Sequence, residues 1–153
     1  MNTKVDDGLF EQWKSEHRDI NMLMIELTEW ISIQSKQRNS QFEDTVKKLA
    51  GLDSQLQAHF AREETLCDRI AESYQAGSWE AEAVRRQSDR DHMDIKNRLK
   101  HLIDRMQEAK SEQDAWSEGA YELGLIIDII EQHEEQESES VCSLLPVNIQ
   151  KTK

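Results

Sequence analysis

Residues 59–64 read HFAREE and residues 133–137 read HEEQE. Each stretch places a histidine four positions before a glutamate, His59 with Glu63 and His133 with Glu137. On a helix those two side chains stand one turn apart on the same face. Such a pair is either a hydrogen-bonded unit inside a core or part of a metal site, since imidazole and carboxylate are both ligands for transition metals. Two more histidines, His17 and His92, interrupt runs of otherwise apolar residues in the same way. The fifth, His101, follows His92 by nine positions, which at about 100° per residue turns it to the opposite side of a helix. It reads as a surface residue.

Four elements must carry these groups. Apolar residues recur at helical spacing in four stretches, with no convincing alternating strand. The first runs Leu9, Trp13, His17, Ile20, Met24, Leu27, Ile31, with Asp6 and Asp7 available as caps. The second runs from Phe42 through Leu49, Leu52, Leu56, His59, Glu63 and Leu66 to Ile70. The third runs from Val84 through Ser88, His92, Ile95, Leu99 and Leu102 to Met106. The fourth runs from Trp116 through Leu123, Ile127, Ile130, His133 and Glu137 to Leu144. Polar stretches at Lys36–Ser40, Gln75–Ser78 and Ser111–Asp114 separate them. Connections this short make successive helices antiparallel neighbours, so the expected fold is all-α, an up-down-up-down four-helix bundle. One domain is expected over 1–153, its bundle at about residues 7–145, with loose ends at residues 1–5 and after Pro146.

The same topology brings the histidines to one level. His17 and His59 lie about 19 and 18 residues from the first turn, Glu63 and His92 about 12 and 14 from the second, and His92 and His133 about 18 and 19 from the third, each residue rising about 1.5 Å. Buried carboxylates need a cation or a proton, yet no stripe position is Lys or Arg. Arg62, Lys47, Lys48, Lys96 and Arg98 all fall off the stripes. Protonated imidazoles or metal must therefore supply the positive charge. Four imidazoles and two carboxylates at one level form a ligand set for a transition metal. Their spread along the axis is enough for two ions roughly 3.5–4 Å apart, with the carboxylates as bridges.

Composition narrows the remaining classes. The chain has 153 residues, of which 33% are charged, with one proline and five glycines, as expected of long helices. Thirty-one acids against 19 Lys and Arg give a net charge of −12, a surface that repels nucleic-acid phosphates. No apolar run is long enough for a bilayer and no signal segment opens the chain, so neither membrane nor export is expected and the expected location is the cytoplasm. Cys67 and Cys142 make no disulfide framework and read as ordinary cysteines. Trp13, Trp30, Trp79 and Trp116 read as packing residues. Glu64, Glu134 and Glu135 flank the ligand candidates and read as solvated or as supporting the ligands, not as coordinating groups.

In this order, His17, His59–Glu63, His92 and His133–Glu137 resemble the hemerythrin-like HHE cation-binding domains, whose pattern is H…HxxxE…H…HxxxE on a four-helix bundle. SEHRDI, HFAREE, DHMDI and HEEQE carry the resemblance, which extends from about Leu9 to Pro146. It implies two iron ions, a non-haem di-iron centre admitting an oxo or hydroxo bridge. The ligands would be His17, His59, His92 and His133, with Glu63 and Glu137 bridging. Oxygen-carrying members have a further histidine four residues after the third-helix one, where this chain has Lys96. They also carry an Asp five residues after the last histidine, where this chain has Ser138. The chain thus looks like the four-histidine branch, which includes iron-sensing domains and iron-centre repair proteins. The implied ligand is a small gas or oxidant, O2, NO or peroxide; the alternatives, using the same site, are an iron- or oxygen-responsive sensor or interaction module and an iron-centre repair protein.

Overall fold

The computed structural model describes residues 3–36, 42–74, 79–109 and 113–144. They form four helices, α1 (Thr3–Ser35), α2 (Phe42–Tyr74), α3 (Trp79–Ala109) and α4 (Gln113–Leu144), with no strand among the described residues. Joined through 36–41, 75–78 and 110–112, each helix packs against the next, and α1 closes the ring on α4. This is the expected four-helix bundle. At about 1.5 Å per residue the 33-residue helices are about 50 Å long, which leaves room for an apolar core and a polar layer in one stack.

One boundary differs from expectation. α1 begins at Thr3, so Asp6 and Asp7 lie inside the helix instead of capping it, and residues 3–5 are helical instead of loose. A carboxylate near the positive end of a helix favours it from the cap or from the first turns alike, so the composition leaves the start open by about a turn. Residues 1–2, the tail after Pro146, and the side chains of Leu9, Ile70, Trp79, Val141, Cys142 and Leu144 lie outside the described residues.

Most stripe positions face inward. Ile20, Met24 and Leu27 from α1 meet Leu49, Leu52 and Leu56 from α2, Ile95, Leu99 and Leu102 from α3, and Leu123, Ile127 and Ile130 from α4. Burying one such side chain stabilises by about 1.5–3 kcal/mol, so this layer offsets the cost of the polar layer beyond it. At one end Trp116 sets its ring edge against Phe42, with centroids 5.2 Å apart, and its indole N–H donates to Ser35 Oγ at 3.0 Å. Trp30 Nε1 donates to Thr45 Oγ1 at 2.8 Å and ties α1 to α2. These polar ties fix the helix register at the end away from the histidines.

Candidate metal centre

Beyond Leu56, Ile95 and Ile130 the stripes turn polar. His59 and Glu63 follow on α2, His92 on α3 and His133 on α4, each less than a tenth exposed; His17 on α1 is partly buried. All four imidazoles gather around Glu63, which is fully buried. Its two oxygens divide the work. Oε1 lies 3.3 Å from His17 Nε2 and in contact with His59 Nε2. Oε2 lies 2.8 Å from His92 Nε2 and 3.4 Å from His133 Nε2.

Two four-residue groups result, and within each one ligand atom per residue lies within 4.8 Å of the others. The first is His17, His59, Glu63 and Glu134; the second is Glu63, His92, His133 and Glu137. Glu137 Oε2 sits 2.7 Å from His133 Nε2 and 3.8 Å from His92 Nε2. Ser88, one turn before His92, donates its hydroxyl to Glu137 at 3.3 Å. Only Glu63 belongs to both groups. Glu137 stays with the second group, and Glu134 takes the matching place in the first.

Expectation and structure part at Glu134. The residue read from sequence as solvated or supporting is 7% exposed, with its carboxylate in the first group. Standing next to His133 on α4, it is turned about 100° further round the helix, toward α1. Glu135 is exposed and Glu64 partly so, as expected, and His101 is exposed. Two further acids escaped the sequence reading. Glu16 Oε1 accepts from His59 Nδ1 at 3.2 Å, and Asp91 Oδ2 accepts from His133 Nδ1 at 2.9 Å. Each leaves the Nε2 of its imidazole free to face Glu63, as a carboxylate behind a metal-bound histidine does. The signal was there in EH and DH (Glu16–His17, Asp91–His92), but each acid serves the histidine of the next helix, not its own neighbour.

Aromatic rings wall the site. Phe60 lies flat on His92, with centroids 3.9 Å apart and planes 11° apart, and presents its edge to His133 at 5.9 Å. Trp13 stands 4.2 Å from His17. Two clefts approach the layer. One of about 470 Å3 between α1 and α4 reaches His17 and Glu134, and one of about 230 Å3 between α3 and α4 reaches Ser88, His133 and Glu137.

The donor set fits a cation. His59 Nε2 and both Glu134 oxygens are buried and have no hydrogen-bond partner, although ligand atoms of the neighbouring residues stand close by. Buried polar atoms left unsatisfied amid so many ligand atoms are a place for a cation. Electrostatics agrees. Burial by itself lowers an imidazole pKa, but hydrogen bonds and charge from the carboxylates outweigh it. Against Glu134 and Glu63, His59 is held at about 10 and His17 is also raised. Against Glu137 and Glu63, His92 is held at about 9 and His133 at about 11. Burial raises the carboxyls, yet the four histidines hold Glu63 well below its ordinary range, and His17 and His59 lower Glu134. The site thus holds positive charge, whether protons or metal provide it. Cys67, pushed up to about 12 by burial and then by the Glu137 and Glu63 charges, stays a thiol at neutral pH.

A pH prediction follows for the chain stripped of metal by a chelator. A raised imidazole pKa contributes stability that is complete below the ordinary 6.5 and lost as pH climbs through the folded value. The stripped chain should therefore lose melting temperature from near neutrality to about pH 10, through the values of about 9 and 10 at His92 and His59. Metal-loaded chain, whose imidazoles carry no such proton, should change little over that range. Thermal melts of both forms read this directly, and a stripped chain whose melting point holds flat would contradict the charge arrangement.

A sequence model described as the hemerythrin HHE cation binding domain matches residues 8–145, nearly the whole chain. No curated protein and no solved structure matches it significantly. Among the described residues no helix is long and apolar enough to cross a membrane.

Proposed function

The chain belongs to the hemerythrin HHE cation-binding family, and from that premise we propose that it is a non-haem di-iron protein that reacts with O2 or a related small oxidant such as NO or peroxide. The observation that carries this reading is the division of Glu63, with one oxygen toward His17 and His59 and the other toward His92 and His133. In this reading one ion belongs to each group, held by His17 and His59 on one side and by His92, His133 and Glu137 on the other, with Glu63 shared. Bound iron supplies one-electron chemistry toward O2, which protein side chains lack. The protein's own part is to hold and shield. Glu16 and Asp91 fix the rings of His59 and His133. Phe60, Trp13, Leu56, Ile95 and Ile130 exclude bulk water. The clefts are rimmed by acids, Glu131 and Glu135 on one and Asp91 and Glu139 on the other, which turn away anions and admit cations and small neutral gases.

Lacking the extra histidine of the oxygen carriers at Lys96, the centre is suited to consume O2 rather than store it. Mixing reduced, iron-loaded protein with O2 in a stopped-flow instrument should give rapid oxidation that degassing does not reverse. Return of the reduced spectrum on degassing would identify a carrier instead. A centre inert to O2 that changes the bundle's protease sensitivity with iron would favour the interaction module.

A further inference from the structure

Glu134 lies outside the H…HxxxE…H…HxxxE pattern, yet its surroundings are those of a ligand. Its Oε1 is 3.4 Å from His59 Nε2, and its Oε2 touches His17 Nε2. Both oxygens are buried and face imidazole nitrogens. A carboxylate in that condition is costly to keep unless a cation meets it. Its neighbours are two imidazoles whose nitrogens face the same point, together with Glu63, itself an acid that repels it. Glu137 stands in the same relation to His92 and His133 and completes the second group. We infer that Glu134 is a metal ligand, a third carboxylate that completes the first position as Glu137 completes the second and leaves Glu63 the one carboxylate shared between them.

This inference rests on the di-metal reading and refines it. Each ion then has two imidazoles and two carboxylates in place of an unequal set. A third anionic oxygen favours hard cations and the more highly charged oxidation state. Glu134 also lines the α1–α4 cleft beside His17, inside the exposed rim of Glu131 and Glu135.

The test is an anaerobic equilibrium dialysis of ferrous iron, with iron content as the readout, on the natural chain, Glu134→Gln and Glu29→Gln. Glutamine keeps the shape, and circular dichroism checks that the helices persist. With limiting iron, Glu134→Gln should keep one ion and bind the other roughly a hundredfold more weakly, at the upper end of what losing even an outer partner costs a metal site. Glu29→Gln, whose side chain is exposed on α1 away from the histidine layer, should match the natural chain. Two ions of unchanged affinity in Glu134→Gln would overturn the inference and leave the di-iron reading intact. A natural chain that takes one ion would overturn the di-iron reading. In that case Glu134 stands as a ligand if its variant loses the ion, and falls if the variant keeps it. A natural chain that takes none overturns both.

Discussion

Replacing Glu63 by alanine should empty both metal positions at once, taking iron from about two per chain to near zero, because ligand type and number set what such a site holds. Among the described residues no other belongs to both groups. Glu137 serves the second group only, whereas Glu63 places an oxygen against each pair of imidazoles. Alanine removes that shared donor, the one carboxylate among the described residues that meets all four histidines. Four imidazoles then face one another with less charge to hold them, so the variant should also melt lower. Glu63→Gln separates the two effects. It preserves packing and loses the anion, and it should lose iron while keeping most of the helix signal. His101→Ala is the comparison, since its side chain is exposed and should leave iron content unchanged. Equal iron in Glu63→Ala and His101→Ala would overturn the assignment of the inward face.

Phe60→Ala should be among the most damaging single changes to the fold, costing about 3–5 kcal/mol as large aromatic truncations in cores do. Against the 5–15 kcal/mol typical of a whole domain, that is a large share. The ring is fully buried and lies flat on His92, with its edge toward His133. Its loss therefore opens a cavity between the apolar layer and the metal layer. The measurement is urea unfolding of chelator-treated protein, which removes any contribution from bound metal. Phe60→Leu should cost much less, because it refills most of the space. A loss under about 1 kcal/mol for alanine would mean that the layers close over the gap.

Much of this arrangement is legible in the residue order. The period of the apolar stripes yields four helices, short connections make them alternate in direction, and counting along the axis brings His17, His59, His92 and His133 to one level. Those inferences use only spacing along a helix, which the chain fixes locally. What stays hidden depends on rotation between helices. Glu134 and Glu135 are adjacent acids of equal chemistry, and one is buried while the other is exposed only because α1 packs beside α4 at that angle. Glu16 and Asp91 are hidden for the same reason, since each reaches across to a histidine 43 or 42 residues away in sequence. Phe60, one position after His59, looks like a break in the stripe and proves to be the floor of the site.

The reach of Glu16 and Asp91 also says something about how the molecule is assembled. Glu16 on α1 steadies a histidine on α2, and Asp91 on α3 steadies one on α4, so each half of the chain is a hairpin with one imidazole aimed in advance. Neither hairpin can finish a site. The first group borrows Glu134 from α4, and the second borrows Glu63 from α2. A cation captured in either group would therefore clasp two half-molecules, held from both sides of the α2–α3 connection. Two peptides cut at that connection should associate more tightly with metal than without it, the clasp adding to the apolar layer that all four helices share.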